Sequence, residues 1–258
     1  MEDKRARKER YDDVIMEFKD ISKYFGGVQA LSNVSMSIRK SEVIALLGDN
    51  GAGKSTFLKI LSGIYIPDKG DVYIDSQPVT IRNPRHAMSL GISMVYQDLA
   101  MTLCENLDTV YNMFLGRELR HKNGRIDYVR MEQTTAVAME ELGIQLPSLR
   151  MPIEKLSGGQ RQAVAIARAT LGTPRIVLLD EPLASLGHTQ RRQVTKLVLR
   201  LKEKGYGVVV VSHDLLEVFE MSDRVVVFRL GEKVAEIERN EITHDGVVNE
   251  ITGGIVQL

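Results

Sequence analysis

GDNGAGKS, Gly48–Ser55, stands between two runs of different character. Before it, VIALL (residues 43–47) is a continuous apolar stretch of strand length. After it, TFLKILSG (residues 56–63) is rich in helix formers and closes on Gly63. Strand, glycine-rich loop and helix together form the context in which the pattern G-x-x-x-x-G-K-[ST] cradles phosphate. Glycines let successive backbone N–H groups curl around an anion, and the helix N-terminus adds the positive end of its dipole. Lys54 is expected to reach the β and γ phosphates of a nucleotide and Ser55 to ligate Mg²⁺, with Gly48, Asn50, Gly51, Gly53 and Thr56 completing the loop. The competing reading, a plain glycine turn before a helix, loses ground to the motifs that follow.

RIVLLDEP, Arg175–Pro182, is a buried-strand run that ends in two carboxylates. Beside a phosphate loop, Asp180 is expected to act on Mg²⁺ and Glu181 to polarise the attacking water as a general base. Alone, the pair reads equally well as the start of a surface turn before Pro182. VVVVSHD places His213 just beyond another apolar strand, and MVYQD places Gln97 beyond a third. Strands of one parallel sheet end on the same side, so both side chains are expected near the phosphates: His213 against the γ-phosphate, Gln97 on the metal or the attacking water. Taken singly, a capping histidine and a surface glutamine are the plainer readings. KLSGGQRQAVAIARA, Lys155–Ala169, opens a helix, read as 160–171, with two adjacent glycines. Ser157, Gly158, Gly159 and Gln160 read as a second anion trap at a helix N-terminus, and a packing role for the glycines is set aside because Gly has no side chain to bury. Two half-sites in one chain point to a two-fold dimer in which each loop faces the other chain's LSGGQ.

The rest of the chain is read outward from these motifs. Val14–Ile38 carries two strand-like runs, VIMEFKDI and ALSNVSMSI, around a turn at Gly26 and Gly27. PDKG and DVYIDSQP read as a turn and a hairpin strand. From residue 99 to residue 152 the pattern turns helical, with helices expected over ENLDTVYNMFLGREL and YVRMEQTTAVAMEELGI. Strand 176–180, helix 189–203, strand 207–211, helix 214–221 and a strand pair around RVVVFRLGEKVAEI follow. The expectation is an α/β fold: a core over 14–98 and 153–258 with a mostly parallel sheet and an N-terminal antiparallel β subdomain, a helical subdomain inserted over 99–152, and a charged tail over 1–13.

Composition narrows the function classes. Lys+Arg and Asp+Glu each number 34 in 258 residues, so the formal net charge is zero, and no nucleic-acid partner is expected. The single cysteine, Cys104, excludes an intramolecular disulfide. No apolar run reaches the roughly 18–20 residues of a membrane span. The opening MEDKRARKERYDD has no apolar segment of the kind a signal peptide needs, so the chain is expected to be soluble and cytoplasmic.

Taken together, GDNGAGKST, Gln97, LSGGQ, Asp180–Glu181 and His213 in this order resemble the ATP-binding cassette family over nearly the whole chain, from about Val14 to about Gly254. The resemblance implies a P-loop ATPase that clamps two ATP molecules in a head-to-tail homodimer, and an aromatic that stacks on adenine. Phe25 in SKYFGG suits that role, with Tyr24 as its competitor. QDLAMTLCENLDTVYNMFLGRE, Asp49 in the glycine loop and HDLLEVFEMSDRVVVFRLGE look like the ATPases of bacterial monosaccharide importers of the ribose, xylose and fructose type, in their single-cassette branch. That likeness implies a peripheral subunit on the cytoplasmic face of the inner membrane, separate integral membrane permease subunits gripped by the helical insert, and, indirectly, a periplasmic sugar-binding protein. A soluble cassette ATPase working on nucleic acid or the ribosome is the runner-up, and an ATP-binding regulator with little turnover a third reading. Two positions depart from the family pattern: Leu183 stands where a threonine is usual, and Gly187 where an aspartate helps couple the two ATP sites.

Overall fold

The structure, a computed structural model, describes residues 13–253. The tail expected over residues 1–13 lies outside the described residues except for Asp13, as does the stretch 254–258. Strands β1 (Val14–Phe25), β2 (Val28–Arg39), β4 (Lys69–Ile74) and β5 (Gln77–Pro78) form an antiparallel sheet in the order β2-β1-β4-β5. Strands β3 (Val43–Leu47), β6 (Ile92–Val95), β7 (Ile176–Asp180), β8 (Gly207–Val211), β9 (Arg224–Arg229) and β10 (Glu232–Glu238) form a second sheet in the order β10-β9-β3-β8-β7-β6. It is parallel from β9 to β6, with β10 antiparallel at one edge. The helices are α1 (Lys54–Leu61), α2 (Pro84–Ser89), α3 (Thr109–Phe114), α4 (Tyr128–Leu142), α5 (Gly158–Thr170), α6 (His188–Glu203), α7 (Leu215–Met221) and α8 (His244–Thr252). The expected α/β organisation is present, with its antiparallel β subdomain and a helical segment between β6 and β7.

Every residue of β3, β7 and β8 is buried, as befits strands covered on both faces. Their side chains alternate between two cores. Val43, Ala45 and Leu47 pack with α5, α6 and the helical segment; Ile44 and Leu46 pack with the antiparallel sheet and α1. Phe57 of α1 ties that second core together. Its ring lies 5.2 Å from Phe18 in the antiparallel sheet and 5.6 Å from Phe228 in β9. Each such aromatic pair contributes about 0.5–1.5 kcal/mol beyond its buried area, so the helix that follows the glycine loop is anchored to both sheets.

The helical segment departs from expectation in one place. The helix expected over residues 105–119 forms only over Thr109–Phe114. Asp108 caps it, accepting from the Tyr111 N–H at 2.8 Å. The residues before it wrap around the buried Asn112, whose amide accepts from Cys104 N–H and donates to the carbonyls of Cys104, Leu107 and Asp108 at 2.6–3.1 Å. That side chain fastens the carbonyls of Cys104 and Leu107, and a turn closed by the Leu107 N–H on the Cys104 carbonyl stands where the first turns of the longer helix were expected. Helices α2 and α8 lay outside the sequence reading, although Asn83 with Pro84, and Thr243, are recognisable starts whose side chains accept from His86 and Gly246.

Candidate functional site

The parallel order explains how distant motifs meet. Strands β3, β8, β7 and β6 are neighbours running the same way, so the residues just past their C-terminal ends share one rim of the sheet. These residues are the glycine loop, His213, Asp180–Glu181 and Gln97.

The loop is shaped by what surrounds it. Gly48 has φ +141°, and a Cβ there would stand 2.1 Å from the Phe228 carbonyl oxygen of β9. Gly53, at φ +106°, is the N-cap residue of α1 and supplies no side-chain cap. The first N–H groups of α1 therefore point into the loop with no side chain on them, which is the arrangement that receives phosphate oxygens. Gly231 N–H donates to the Ala52 carbonyl at 3.0 Å, and Ser32 N–H to the Gly231 carbonyl at 2.8 Å, tying the loop to the β9–β10 turn and to β2. Asn50, Gly51 and Ser55 are exposed, and Thr56 is half-buried. Lys54 folds back over the loop, donating to the carbonyls of Gly48 at 2.6 Å and Asp49 at 2.9 Å. Burial lowers its pKa, against the opposing charges of Glu181, Asp49 and Asp180.

Asp180 is buried at the end of β7. Desolvation raises its pKa and the neighbouring Glu181 raises it further, while Lys59 and Lys54 pull it down. Glu181 turns out of the strand with φ +47°, its N–H held by the Val211 carbonyl at 3.0 Å. Gln97 donates through Nε2 to Glu181 Oε2 at 3.2 Å, and His213 Nδ1 lies 3.3 Å from the same oxygen. One carboxylate oxygen is thus flanked from both adjoining strands while the rest of the group remains available. The donors offered to a divalent ion are one buried carboxylate (Asp180), a hydroxyl (Ser55) and an amide oxygen (Gln97). Such a sparse, hard oxygen set fits Mg²⁺, which is held by one or two carboxylates together with substrate phosphates and retained waters.

Phe25 ends β1 in the other sheet, 42% exposed, with its ring 5.1 Å from that of Tyr65. Tyr24 is exposed beside it. Tyr65 is absent from the sequence reading, since an aromatic in a turn carries no motif.

Ser157, Gly158, Gly159 and Gln160 lie elsewhere. The helix expected from residue 160 begins at Gly158, because Ser157 and Gln160 form a capping box: Gln160 N–H to Ser157 Oγ at 3.3 Å, Ser157 N–H to Gln160 Oε1 at 3.0 Å. Ser157 and Gln160 line a cleft of about 290 Å³ with Leu142, Gln145, Lys196 and Arg200, to which the glycine loop contributes no residue. The packing role set aside for the paired glycines is present at Gly159. It is buried, and a Cβ there would lie 2.9 Å from the Gln190 Cβ of α6. Gly187 caps α6 with open space where its Cβ would stand, and Leu183 is buried in the core.

Among the described residues no helix is long and apolar enough to cross a membrane. Residues 31–184 match the family model of the ABC transporter. The chain is 41% identical to the xylose/arabinose import ATP-binding protein of Sulfolobus acidocaldarius, covering 92% of this chain and 94% of that protein. It is 37% identical to the fructose import ATP-binding protein of Rhizobium meliloti, covering 93% and 94%. It is 39% identical to the ribose import ATP-binding protein of Caldanaerobacter subterraneus, of which it spans about half, 48%. Among solved structures, an ABC-transporter ATP-binding cassette in its ADP conformation matches with a TM-score of 0.79 at 26% identity, over 93% of this chain and 99% of that one. A dimeric post-hydrolysis cassette bound to ADP and phosphate matches at 0.72 and 27% identity, over 87% and 99%. The chain belongs to the ABC transporter family and is one of its ATP-hydrolysing cassettes.

Proposed function

We propose that this chain is the ATP-hydrolysing subunit of an importer for a monosaccharide. It works as a head-to-tail homodimer at the cytoplasmic face of the inner membrane against separate integral permease subunits, which a periplasmic sugar-binding protein supplies. The observation that carries the reading is the Glu181 carboxylate, flanked by Gln97 and His213 on the rim that also holds the glycine loop, in a chain whose sugar-import relatives match over more than nine-tenths of its length.

ATP enters with its phosphates on the N–H groups of Gly48, Asn50, Gly51, Gly53, Lys54, Ser55 and Thr56. Lys54 exchanges its two carbonyl bonds for β and γ phosphate oxygens, and Phe25 stacks on adenine. Ser55, Asp180 and Gln97 hold Mg²⁺, which when bound neutralises charge on the phosphates. Glu181 is the general base that takes a proton from the attacking water. Gln97 and His213 hold the carboxylate in place, and His213 faces the γ-phosphate. Ser157, Gly158, Gly159 and Gln160 close on the ATP of the partner chain, so that nucleotide binding joins the dimer and hydrolysis releases it.

The insert over 99–152 grips the permease. A groove of about 410 Å³ where the insert meets the core is lined by the exposed Met88 and Met101, with Leu115 beside them. With Arg85, Arg117 and Arg168 also in its lining, it suits a helical segment of the permease that presents an apolar face with acidic residues beside it. Gln97 lies in the chain between Met94 and Met101, both of which line this groove, so the state of the nucleotide reaches the permease through one short segment.

The test is capture of the tagged chain from its native membranes in detergent. Co-purification of a polytopic permease supports the transport reading. Recovery of ribosomes or DNA-bound proteins in its place would leave the ATPase standing and favour the soluble cassette instead.

A further inference from the structure

The segment Tyr65–Asp68 is not used by the mechanism above, yet it closes around Phe25. The ring of Tyr65 meets that of Phe25 at 5.1 Å and 68°, edge to face. Asp68 Oδ2 accepts from the Tyr24 N–H at 2.7 Å, directly beside Phe25 in the chain. Asp68 Oδ1 accepts from Lys23 Nζ at 3.1 Å, and the Ile66 carbonyl accepts from the same ammonium at 2.8 Å. That ammonium in turn lies 5.6 Å from the centre of the Phe25 ring, within cation–π range. The Tyr24 N–H bond, and then the Lys23 bond, hold the Asp68 carboxyl below its ordinary range.

The bracket is anchored on the phosphate side. The N–H groups of Ile64 and Tyr65 both donate to the Lys59 carbonyl of α1, at 2.9 and 3.1 Å, and Lys59 Nζ lies 5.7 Å from the Tyr65 ring. The helix that begins with Lys54 therefore ends in the segment that fixes Phe25, and one short helix sets the distance between phosphate loop and stacking ring. A phenylalanine at an exposed strand end otherwise rotates freely, and immobilising it on binding weakens affinity.

We infer that Tyr65 and Asp68 are positioning residues of the nucleotide's base site, holding the Phe25 ring in its stacking orientation before nucleotide arrives. The inference rests on the stacking role proposed for Phe25. Neither residue touches the reacting phosphates, so their contribution falls on base affinity and leaves turnover unchanged.

The experiment compares Phe25→Ala, Tyr65→Ala, Tyr65→Phe and Asp68→Ala in the full chain. It measures equilibrium affinity for ATP, affinity for inorganic tripolyphosphate, which has no base, and kcat and KM for ATP. Tyr65→Ala is expected to weaken ATP binding and raise KM by about three- to ten-fold, as expected for one extra side chain immobilised. It should leave kcat and tripolyphosphate affinity at wild-type values. Tyr65→Phe should restore ATP affinity, since the edge contact needs no hydroxyl, and Asp68→Ala should shift affinity in the same direction as Tyr65→Ala. Wild-type ATP affinity in Tyr65→Ala alongside a loss in Phe25→Ala overturns the inference and leaves the stacking role intact. Equal loss of ATP and tripolyphosphate binding also overturns it, because that pattern reports a damaged fold. Unchanged ATP affinity in Phe25→Ala overturns the stacking role and the inference together.

Discussion

Gln97 and Glu181, 84 residues apart, share a 3.2 Å hydrogen bond across the rim of the parallel sheet. The same carboxylate oxygen lies 3.3 Å from His213 Nδ1, so the ends of three adjacent strands converge on one group. Glu181 reaches that position only by adopting a left-handed backbone, φ +47°. For a residue with a side chain, such a conformation costs about 1–3 kcal/mol and persists where the surroundings enforce it. Here the Val211 carbonyl holds the Glu181 N–H, and the two flanking side chains hold the carboxylate.

Glu181→Gln preserves that shape and removes the base. Phosphate release is expected to fall by about 10²–10⁴-fold, the usual contribution of a positioned general base, while equilibrium ATP affinity stays near wild type. The ATP-bound dimer should then accumulate and be visible by size-exclusion chromatography with ATP. Near-normal turnover would remove Glu181 from the role.

Gly48→Ala attacks the loop through sterics alone. The added methyl would stand 2.1 Å from a backbone oxygen of β9, and φ +141° is unfavourable for any L side chain. Strand β9 is packed on β3 and cannot yield cheaply, so the loop must deform. Loss of measurable ATP binding is expected, with a lower Tm by calorimetry. Gly187→Ala is the contrasting case. Its Cβ meets open space, so the expected loss is only that of a poorer N-cap on α6, about 1 kcal/mol or less, with ATP binding retained.

What was legible in the sequence follows the range of the physics involved. The glycine loop, Asp180–Glu181, His213 and Gln97 could be placed because strand ends in a parallel sheet share a rim, a rule that needs only strand limits and direction. The close approach at Gly159 could not, because it depends on which helix lies opposite, and Gln190 is distant in the chain. Nor could the shortened helix at Thr109–Phe114, because the bonds of Asn112 to the segment before it become apparent only once its side chain is buried. Tyr65 was invisible for the same reason: it stands in a loop, and its partner Phe25 ends β1, far off in the chain.

Gly159→Ala converts that packing difference into a measurement. The methyl would come within 2.9 Å of Gln190 Cβ, forcing α5 and α6 apart or displacing the first turn of α6. Overpacking of this kind costs about 1–3 kcal/mol. Denaturant unfolding should show that loss. A stability unchanged from wild type would mean that the helix start relaxes freely.

The Asp75–Arg175 pair predicts a pH signature. Both terminal guanidinium nitrogens donate to the carboxylate at 2.6 Å, joining the β4–β5 turn to the start of β7, and these bonds hold the Asp75 pKa below its ordinary value. A depressed carboxyl stabilises the fold above its unfolded pKa of about 3.9, and the contribution disappears as pH falls through the folded value. The side chains are 42% and 58% exposed, so solvent screening limits the pair to about 1 kcal/mol at most. Asp75→Asn should therefore be slightly less stable than wild type at pH 7. The two unfolding curves should converge once pH has fallen through the lowered folded-state pKa of Asp75, and a difference that persists in stronger acid would assign the effect to packing.

At the N-terminal ends of β3 and β9, away from the glycine loop, Arg224 is almost fully buried, with 1% of its side chain exposed. Its Nε and Nη2 each lie 3.0 Å from an oxygen of Glu42, Nη2 donates to the Ser37 carbonyl at 2.7 Å, and Nη1 pairs with Glu236. Burial opposes ionisation of Glu236, yet Lys233 and Arg224 together hold its pKa below the ordinary value. This cluster joins the end of β2, the approach to β3, and strands β9 and β10. Removing one partner of a buried ion pair strands the other charge and costs about 3–5 kcal/mol. Because Glu236 remains to compensate, Glu42→Gln is expected near the lower end of that range by denaturant unfolding. Arg224 begins β9 and Glu42 precedes β3, whereas the glycine loop follows β3, so the variant should bind ATP like wild type wherever it is folded. A stability loss together with weakened ATP affinity in the folded protein would mean that strain at this end of the sheet is transmitted along β3 to the loop.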